Sequence, residues 1–511
     1  MFELPPADFS ANYYARIHAA LLSHPTAETL TWPSVTPTDS SARYSAADVL
    51  AQVSRARRYL RAQGVMPGQR VLVAVPVGPA LVAALLALLA LGAVAVLPPA
   101  GASWLTRLRL PGQAGATAAV VSSRPRLSRR WLARRLGLRL LIVPGDVRPA
   151  QAAQGAASIP LSPAWTPVFV PPDQPALVSH SSGSTTGRPK PIVRTHAVLG
   201  AQHTALRAAF PPWAGQRDLP LFPNILLHNL ALPEGVSSVL PAVPWRYLPG
   251  FDPARVAAQL VAERIETLTG NVTYYRRLLP ALRNLPAGAL AGVRAAGIGG
   301  SPVPEPLVQE LRTVFASADV FIIYGSSEAE PIAVRCLDTA PAADPRCGYC
   351  VGQPAAGIAL DFTSTDLTLT LPDGRAQPVG EVRVRGAHVA QPAGAELDAW
   401  LATGDFGYLG VNGELWLTAR RGNAGVMGGC QHYPLEHVAQ HVPGVGRVAA
   451  RPTPAGFAVW VEGADPALVP AVRRALEAAF PALRQRLTVQ LRARLPVDAR
   501  HHAKIRYDRL G

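Results

Sequence analysis

Short apolar runs bounded by glycine and proline alternate with longer segments of helical apolar spacing from the start of the chain to about residue 330. The longest apolar run, residues 71–97, is long enough to mimic a membrane span. Pro76, Gly78 and Pro79 divide it, which predicts a strand at 71–75, a helix at about 79–91 and a strand at 93–97. This order indicates a buried strand–helix–strand unit rather than a span.

The same alternation predicts the other elements of the first two thirds of the chain. We expect helices at 44–63 with Ser45 as N-cap, and at 195–209, 253–264 and 274–283. A strand is expected at 138–143, and 293–302 and 320–328 are each expected to be a strand that runs into a turn, with an exposed connection over 144–174. Strands that alternate with helices favour mainly parallel sheets.

Short alternating strands separated by turns replace this pattern from about residue 357 to 418, and a hinge is expected near 419–425. The predicted fold class is therefore α/β. It comprises a large N-terminal domain (1–419) of mainly parallel sheets with helices plus a small β-barrel-like part, and a small mobile C-terminal α+β domain (420–511).

Composition narrows the class of protein. An apolar fraction of 49% and a charged fraction of 16% indicate a globular chain of 511 residues. The net charge of +16 raises nucleic acid or an anionic membrane as partners, but the basic residues are widely spread except over 124–139, which predicts an amphipathic helix with a solvated basic face. We therefore expect no nucleic-acid partner and a surface helix at 124–139, with contact to a membrane or an acidic partner through that segment as the alternative.

Cysteine usage and the N-terminus add two expectations. Cys336, Cys347, Cys350 and Cys430 do not form a disulfide framework, and a zinc site at Cys347 and Cys350 lacks an obvious fourth ligand. The N-terminal residues have no signal-peptide pattern, so a cytoplasmic location is expected.

Residues 179–196 carry the densest candidate chemistry. Glycines let a backbone point several N–H groups into one concavity, and neighbouring hydroxyls and a lysine add donors, which together suit a polyphosphate. The residues concerned are Ser182, Gly183, Ser184, Thr185, Thr186, Gly187 and Lys190. No helix-opening Gly-Lys-Ser/Thr follows, so this is not a P-loop. A flexible surface loop is the alternative interpretation.

Lys190 and Lys504 are the two lysines among 49 basic residues. A compact ammonium meets a single reactive oxygen in a way that the planar guanidinium does not. Both lysines are therefore functional candidates, with chance retention as the alternative.

These motifs, in order across about residues 40–510, resemble the acyl-adenylate-forming superfamily, which includes acyl-CoA synthetases, luciferases and peptide-synthetase adenylation domains. The motifs are Ser182-Gly-Ser-Thr-Thr-Gly-Arg-Pro-Lys190, with one extra residue in the loop, Gly299-Gly300-Ser301-Pro302, Tyr324-Gly325-Ser326-Ser327-Glu328, Thr403-Gly-Asp405 with Arg420, and Ala503-Lys504-Ile-Arg506.

The resemblance implies a role for each motif. The serine–threonine loop would bind phosphate, and Gly300, Ser301, Pro302 and Tyr324 would contact adenine. Ser327 would lie near phosphate, with Gly325 and Ser326 in the same nucleotide-binding motif. Glu328 would hold Mg²⁺, Asp405 would accept hydrogen bonds from the ribose hydroxyls, and Arg420 would follow the last strand of the large domain. Lys504 and Glu328 would be the catalytic residues. A helix N-cap remains the alternative for Glu328, and a turn residue for Asp405.

Closer resemblances, at 218–223, 324–333 and 495–505, are to the synthetases of bacterial long-chain olefin biosynthesis, which close a 3-hydroxy fatty acid into a β-lactone. Two positions depart from typical CoA ligases: Gly422 stands at the hinge aspartate and Val426 at a following lysine, while Gly429, beside the pantetheine path, is retained.

The expected activity is therefore ATP- and Mg²⁺-dependent conversion of an apolar, fatty-type carboxylic acid to an acyl-AMP, with a small-molecule acid as partner. Transfer to CoA is expected next, which would make CoA a further cofactor. Lactone closure without CoA is one alternative, and a nucleotide-binding protein without catalysis is another. A nucleic-acid or membrane-surface binder is a third.

Overall fold

A computed structural model of the chain describes residues 12–33, 41–99, 104–122, 127–143, 165–180, 190–245, 247–337, 343–363, 366–392, 396, 399–498 and 502–510. The chain forms two compact units. The first comprises 1–182, 188–268 and 390–397, and the second comprises 183–187, 269–389 and 398–511.

The first unit is built from helices packed with two sheets. Its helices are α1 (Tyr13–Ser23), α2 (Ala46–Ala62), α3 (Pro79–Ala90), α4 (Trp104–Ala114), α5 (Leu127–Arg135), α6 (His196–Ala209), α7 (Pro223–Asn229) and α8 (Pro253–Ala262). Its strands are β1 (Glu28–Trp32), β2 (Ala42–Ser45), β3 (Arg70–Val73), β4 (Val94–Val96), β5 (Ala118–Val121), β6 (Arg139–Ile142), β7 (Pro175–His180), β8 (Pro191–Thr195), β9 (Arg217–Pro220) and β10 (Ser237–Val239).

Parallel pairing dominates these two sheets. One has the order β6-β5-β3-β4-β7-β8, parallel except for the β7–β8 pair. In the other, β9, β10 and β1 are parallel and β2 is antiparallel to β1. Helix α3 lies in the core of this unit, with Leu86, Leu88 and Leu89 fully buried. This burial accounts for an apolar run that resembles a membrane span. Within the described residues, no helix has the length and apolarity needed to cross a membrane.

Strand β11 (Thr267–Asn271) crosses the division between the units. The second unit continues with α9 (Val272–Arg283), β12 (Ala295–Gly299), α10 (Glu305–Val314), β13 (Asp319–Tyr324), β14 (Ala333–Cys336), β15 (Tyr349–Pro354), β16 (Ala359–Phe362), β17 (Thr368–Thr370), β18 (Ala376–Pro378), β19 (Gly380–Arg385), β20 (Leu401–Leu409) and β21 (Leu415–Arg420). Strands β12 and β13 are parallel, whereas β13-β14-β15-β21-β20-β19-β16 is antiparallel throughout.

The last part of the chain has a hydrophobic core of its own. It contains α11 (His432–Ala439), β22 (Val448–Thr453), β23 (Gly456–Glu462), α12 (Leu468–Ala479) and β24 (Leu487–Arg492). Strand β23 pairs antiparallel with β22 and parallel with β24. Apolar side chains of both helices and all three strands pack together, including Leu435, Val459, Val472, Leu476 and Val489. Such a separate core agrees with the α+β character predicted for this part.

The α/β fold class is confirmed, and the predicted elements lie close to the observed ones. The strand–helix–strand unit predicted at 71–97 is β3, α3 and β4. Helix α2 begins after Ser45, whose side chain accepts a hydrogen bond from Asp48 N while the Asp48 carboxylate accepts one from Ser45 N. This reciprocal cap is the physical reason for the helix start. Most of the predicted connection at 144–174 lies outside the described residues.

Candidate active site

A carboxylate with two side-chain donors lies at the centre of the antiparallel strands in the second unit. Asp405, on β20, is buried. Its Oδ2 accepts a hydrogen bond from the Tyr324 hydroxyl at 2.8 Å, and its Oδ1 accepts one from Arg420 Nη1 at 2.7 Å. Charge-assisted bonds of this kind fix orientation as well as adding energy. Three predicted site residues, from β13, β20 and β21, are thus in direct contact.

Thr403 binds the backbone N–H of Asp405. The Asp405 N–H donates to Thr403 Oγ1 at 3.1 Å, and the Thr403 hydroxyl donates to Val382 O on β19 at 2.9 Å. The strand pairing of β20 with β21 then sets Asp405 opposite Arg420. The predicted Thr-x-Asp motif is therefore a positioning device in which the threonine orients the aspartate.

Glu328 is presented by a tight turn that follows β13. The Ser326 N–H donates to Ala329 O at 2.8 Å, and Ser326 Oγ accepts from the N–H groups of Glu328 and Ala329, both at 3.2 Å. The Ser326 hydroxyl is thus committed to the turn. The Glu328 carboxylate is partly exposed, so its oxygens can contribute to a cation site that phosphate oxygens complete.

The predicted adenine-contacting turn follows β12. Gly299 lies so close to β13 that a Cβ would come within 2.4 Å of Ile323 O, and Gly300 has φ +81°, a conformation that favours glycine. Ser301 Oγ is buried without a hydrogen-bond partner among the described residues. A buried hydroxyl of this kind is costly to leave unpaired, so a polar ligand group fits at this turn.

Lys504 lies in a short hairpin near the C-terminus. Asp498 N donates to Lys504 O at 2.8 Å, and Asp498 Oδ1 accepts from the N–H groups of Ala503 and Lys504 at 3.0 and 2.8 Å. The hairpin is tied to the start of α9, because the Thr273 hydroxyl donates to His502 O at 2.7 Å. Asp498 therefore fixes the backbone that carries the lysine.

The pKa of Lys504 responds to the charges of other predicted site residues. Burial is the main cause that lowers the pKa of Lys504, and the positive charge of Arg420 lowers it further. The carboxylates of Asp405, Asp498 and Glu328 oppose this shift. The second unit thus brings together the tail lysine, the Asp405 cluster and Glu328.

A buried polar network joins the segment after Arg420 to the C-terminal residues. The Arg420 N–H donates to His432 Nε2 at 2.9 Å, so the Nδ1 of His432 carries the proton and donates to Glu436 at 2.9 Å. Glu436 also accepts from Ala450 N at 2.8 Å and from the Tyr507 hydroxyl at 2.8 and 3.0 Å. Tyr507 is three residues from Lys504, so the network connects the strand of Arg420 with the lysine segment.

The hinge predicted near 419–425 forms a tight turn. Arg421 N donates to Gly404 O at 2.7 Å, and Asn423 N donates to Arg420 O at 2.9 Å. Gly422 has φ +91°. Val426 packs with an apolar cluster that includes Leu371, Val379 and Tyr408.

The remaining predicted site residues fall into three groups. Ser182, Gly183, Ser184, Thr185, Thr186 and Gly187 lie outside them. Lys190 is exposed in the first unit. Gly325, Ser327 and Pro302 lie in the turns that also contain Glu328 and Ser301. Within the described ranges, no three His, Cys, Asp or Glu side chains are grouped so as to hold a metal ion, and all four cysteines are unpaired thiols.

Four residues of these hydrogen-bond networks were not assigned a role from the sequence: Asp498, His432, Glu436 and Tyr507. The spacing of His432 and Glu436 on one helical face was a usable signal. The pairing of Glu436 with Tyr507 joins residues 71 positions apart, and no local pattern indicates it.

Comparison with known proteins identifies relatives. Over 380 residues, the chain is 29% identical to an olefin beta-lactone synthetase of Stenotrophomonas maltophilia, covering 66% of each chain. It is 28% identical over 296 residues to the long-chain-fatty-acid–CoA ligase FadD13 of Mycobacterium tuberculosis, covering 54% of each. These matches span about two thirds and about half of the relatives' lengths.

A solved structure has the same fold. The O-succinylbenzoate coenzyme A synthetase MenE of Bacillus subtilis, in complex with ATP and magnesium ion, superposes with a TM-score of 0.72 at 19% identity, covering 97% of this chain and 99% of that one. Residues 18–392 match the AMP-binding enzyme family. The resemblance to the acyl-adenylate-forming superfamily is confirmed, and the chain belongs to the family of AMP-binding enzymes.

Proposed function

We propose that the protein activates an apolar, fatty-type carboxylic acid with ATP and Mg²⁺, forming an acyl-AMP and pyrophosphate. The observation that supports this most directly is the placement of Lys504, whose ammonium interacts with the charges of Asp405 and Glu328. Of the named relatives, FadD13 is a long-chain-fatty-acid–CoA ligase. The proposal further assigns residues 420–511 as a small lid domain that carries this lysine.

The chemistry explains why a cation is needed there. A carboxylate oxygen of the substrate attacks the α-phosphorus of ATP, a P–O bond forms, and the bond to the bridging oxygen breaks as pyrophosphate leaves. Charge builds on the α-phosphoryl oxygens during this step, and a prepositioned ammonium stabilises it more than water does. We assign that role to Lys504.

The nucleotide would be held by the two predicted turns and Asp405. Asp405 has lone pairs beyond those used by Tyr324 and Arg420, so it can accept from ribose hydroxyls. Ser301 offers a buried, unsatisfied hydroxyl. Glu328 would hold Mg²⁺, which when bound screens the triphosphate charge, and one carboxylate with phosphate oxygens is a common donor set for this ion. The serine–threonine loop would bind the phosphates.

We propose acyl transfer to CoA as the second step, since coenzyme A ligases are among the relatives and the structural neighbours. Lactone closure of a 3-hydroxy acid without CoA is the alternative, supported by the olefin beta-lactone synthetase match. Two departures from typical CoA ligases favour this alternative. The hinge position is Gly422, and the apolar side chain of Val426 packs against a hydrophobic cluster at the position where typical CoA ligases have a lysine.

The first experiment measures acid-dependent exchange of label between pyrophosphate and ATP over a graded series of fatty acids. We expect exchange in the wild type and its loss in Lys504→Ala, while ATP binding by calorimetry stays within a few fold. Arg494→Ala, an exposed cation in the same part of the chain, is the matched control and should keep full exchange. Equal exchange in Lys504→Ala and wild type, or no exchange with any acid, would refute the proposal.

The second experiment identifies the acceptor. The protein is incubated with ATP and a 3-hydroxy fatty acid, with and without CoA, and the products are read by mass spectrometry. A thioester that requires CoA supports the ligase. A product lighter than the acid by one water, formed without CoA, supports the lactone synthetase.

A further inference from the structure

Residues 49–145 contain 14 arginines and no Asp, Glu or Lys. Most of the net charge of +16 therefore comes from one fifth of the chain. Arginine-rich coding explains the missing lysines, but it does not explain why acidic residues are missing from this stretch while 33 occur in the whole chain. The stretch forms α2 to β6 of the first unit, so the charge is concentrated on one part of the fold.

In α5 and the residues that follow it, the arginine side chains with described exposure are exposed to solvent. Ala133 is buried against a small apolar cluster that includes Ala116, Ala119 and Leu138. The exposed residues of this helix form what we name the arginine–tryptophan face: Arg130, Trp131, Arg134 and Arg135. A small residue, Ala133, thus packs the helix against the core, and the large side chains of the arginine–tryptophan face are exposed to solvent.

Trp131 is the exposed apolar element of this face. Its side chain is 60% exposed, and the Arg135 guanidinium lies 5.1 Å from the centre of the indole ring. Tryptophan is a costly residue to leave in water, and it is enriched where a protein surface meets lipid headgroups. The guanidinium of Arg135 can bind lipid phosphate while the indole ring of Trp131 inserts at the boundary between the headgroups and the acyl chains.

Exposed residues of the same basic stretch also lie at the end of α2. Arg139, on β6, reaches Gly64 O with Nη2 at 3.5 Å, and Ile142 N donates to the Tyr59 hydroxyl at 3.0 Å. These contacts place the end of α2 beside the strand that follows α5. Arg61 is exposed there, and Met66, just beyond, is 63% exposed.

We propose that the arginine–tryptophan face docks on the surface of an anionic lipid bilayer. Its positive charge complements acidic lipid headgroups, and clustered arginines on an amphipathic helix are typical of such binding. Exposed Trp131 and Met66 among the arginines favour lipid over nucleic acid, because apolar groups gain by entering the acyl boundary and gain nothing from a phosphate backbone. The proposal does not depend on the catalytic activity.

The test measures binding of the full-length protein to vesicles of neutral phosphatidylcholine and to vesicles with 30 mol% phosphatidylglycerol, by sedimentation. We expect binding to the anionic vesicles only, weakening as NaCl rises from 50 to 500 mM. Each arginine near an anionic surface contributes about fivefold, so Arg130→Gln, Arg134→Gln and Arg135→Gln together should weaken binding roughly a hundredfold. Trp131→Ser should weaken it on the order of tenfold, since about half an indole leaves the lipid.

The matched control carries Arg473→Gln, Arg474→Gln and Arg484→Gln, which remove the same charge from exposed positions elsewhere. It should bind anionic vesicles within about threefold of wild type. Equal loss in control and test variants would overturn the proposal, because net charge alone would then account for binding. Unchanged vesicle binding in the triple variant would overturn it as well. All these side chains are exposed, and circular dichroism checks that each variant is folded.

Discussion

The network around Glu436 makes a specific prediction for Tyr507→Phe. This change removes one hydroxyl and leaves the ring, so packing of the C-terminal residues against His432 is kept. Glu436 retains the N–H of Ala450 and the imidazole of His432 as donors. The variant therefore isolates the bond that ties the lysine segment to the segment after Arg420.

The expected size of the effect depends on the acceptor of the lost hydrogen bond, which is the Glu436 carboxylate. A hydrogen bond to a charged group contributes about 1.5–3 kcal/mol, and we take about 2 kcal/mol for this bond to the buried Glu436. About 2 kcal/mol corresponds to roughly a thirtyfold change in the opening equilibrium of the segment it holds. Pyrophosphate exchange should fall by no more than this factor, because the Lys504 ammonium itself remains.

Amide hydrogen exchange is the direct assay, since it reports local opening segment by segment. We expect peptides that cover 502–510 to exchange about tenfold to thirtyfold faster in Tyr507→Phe than in wild type. Tyr59→Phe is the matched control. It removes a hydroxyl that accepts from Ile142 N in the first unit, and it should leave exchange of 502–510 unchanged.

Two outcomes would refute this reasoning. If exchange of 502–510 changed by less than about threefold, the Tyr507–Glu436 bond would not hold the tail. If exchange rose equally across the whole chain, the bond would contribute to global stability and not to the position of the lysine segment.

Three further predictions concern other buried polar groups. Asp405→Asn replaces the ion pair with Arg420 and should weaken ATP binding at least about tenfold by calorimetry; unchanged affinity would exclude Asp405 from the nucleotide site. Glu305 Oε2 lies 2.9 Å from Nη1 of the buried Arg335, and Glu305→Gln removes this counter-charge. The variant should lower the free energy of unfolding in urea by about 3–5 kcal/mol. A loss below about 1 kcal/mol would contradict this. Burial lowers the pKa of His228 to about 3, so its contribution to stability is complete above the unfolded pKa near 6.5 and is lost as pH falls from there towards 3. His228→Phe should therefore flatten the fall in melting temperature between pH 6.5 and 4, and equal slopes would contradict this.

Local sequence rules predicted elements whose cause is local. The start of α2 depends on Ser45 and Asp48, three residues apart, and the bounds of α3 depend on a proline at its first position. Both signals are contained in a few neighbouring residues. The α/β class followed because each such unit must bury its apolar face against the next.

The residues of the candidate site could be predicted from the sequence only where they lie in a recognisable motif. Tyr324 and Asp405 were identified from short motifs in order along the chain, and Lys504 from such a motif and from the scarcity of lysine. Their mutual contacts depend on strand order, since 81 residues separate Tyr324 from Asp405. Glu436 and Tyr507 were missed because a buried carboxylate and a distant hydroxyl give no periodic signal, and only the fold brings them together.

The left-handed backbone at Gly422 constrains how this sequence can change. A residue with a Cβ in that conformation costs about 1–2 kcal/mol, and an aspartate is only partly exempt. A single Gly422→Asp substitution would thus carry a penalty before it could give any benefit at the hinge. An aspartate here, as in typical CoA ligases, would therefore be favoured only together with a second change that relieves the backbone of the turn between Arg420 and Asn423.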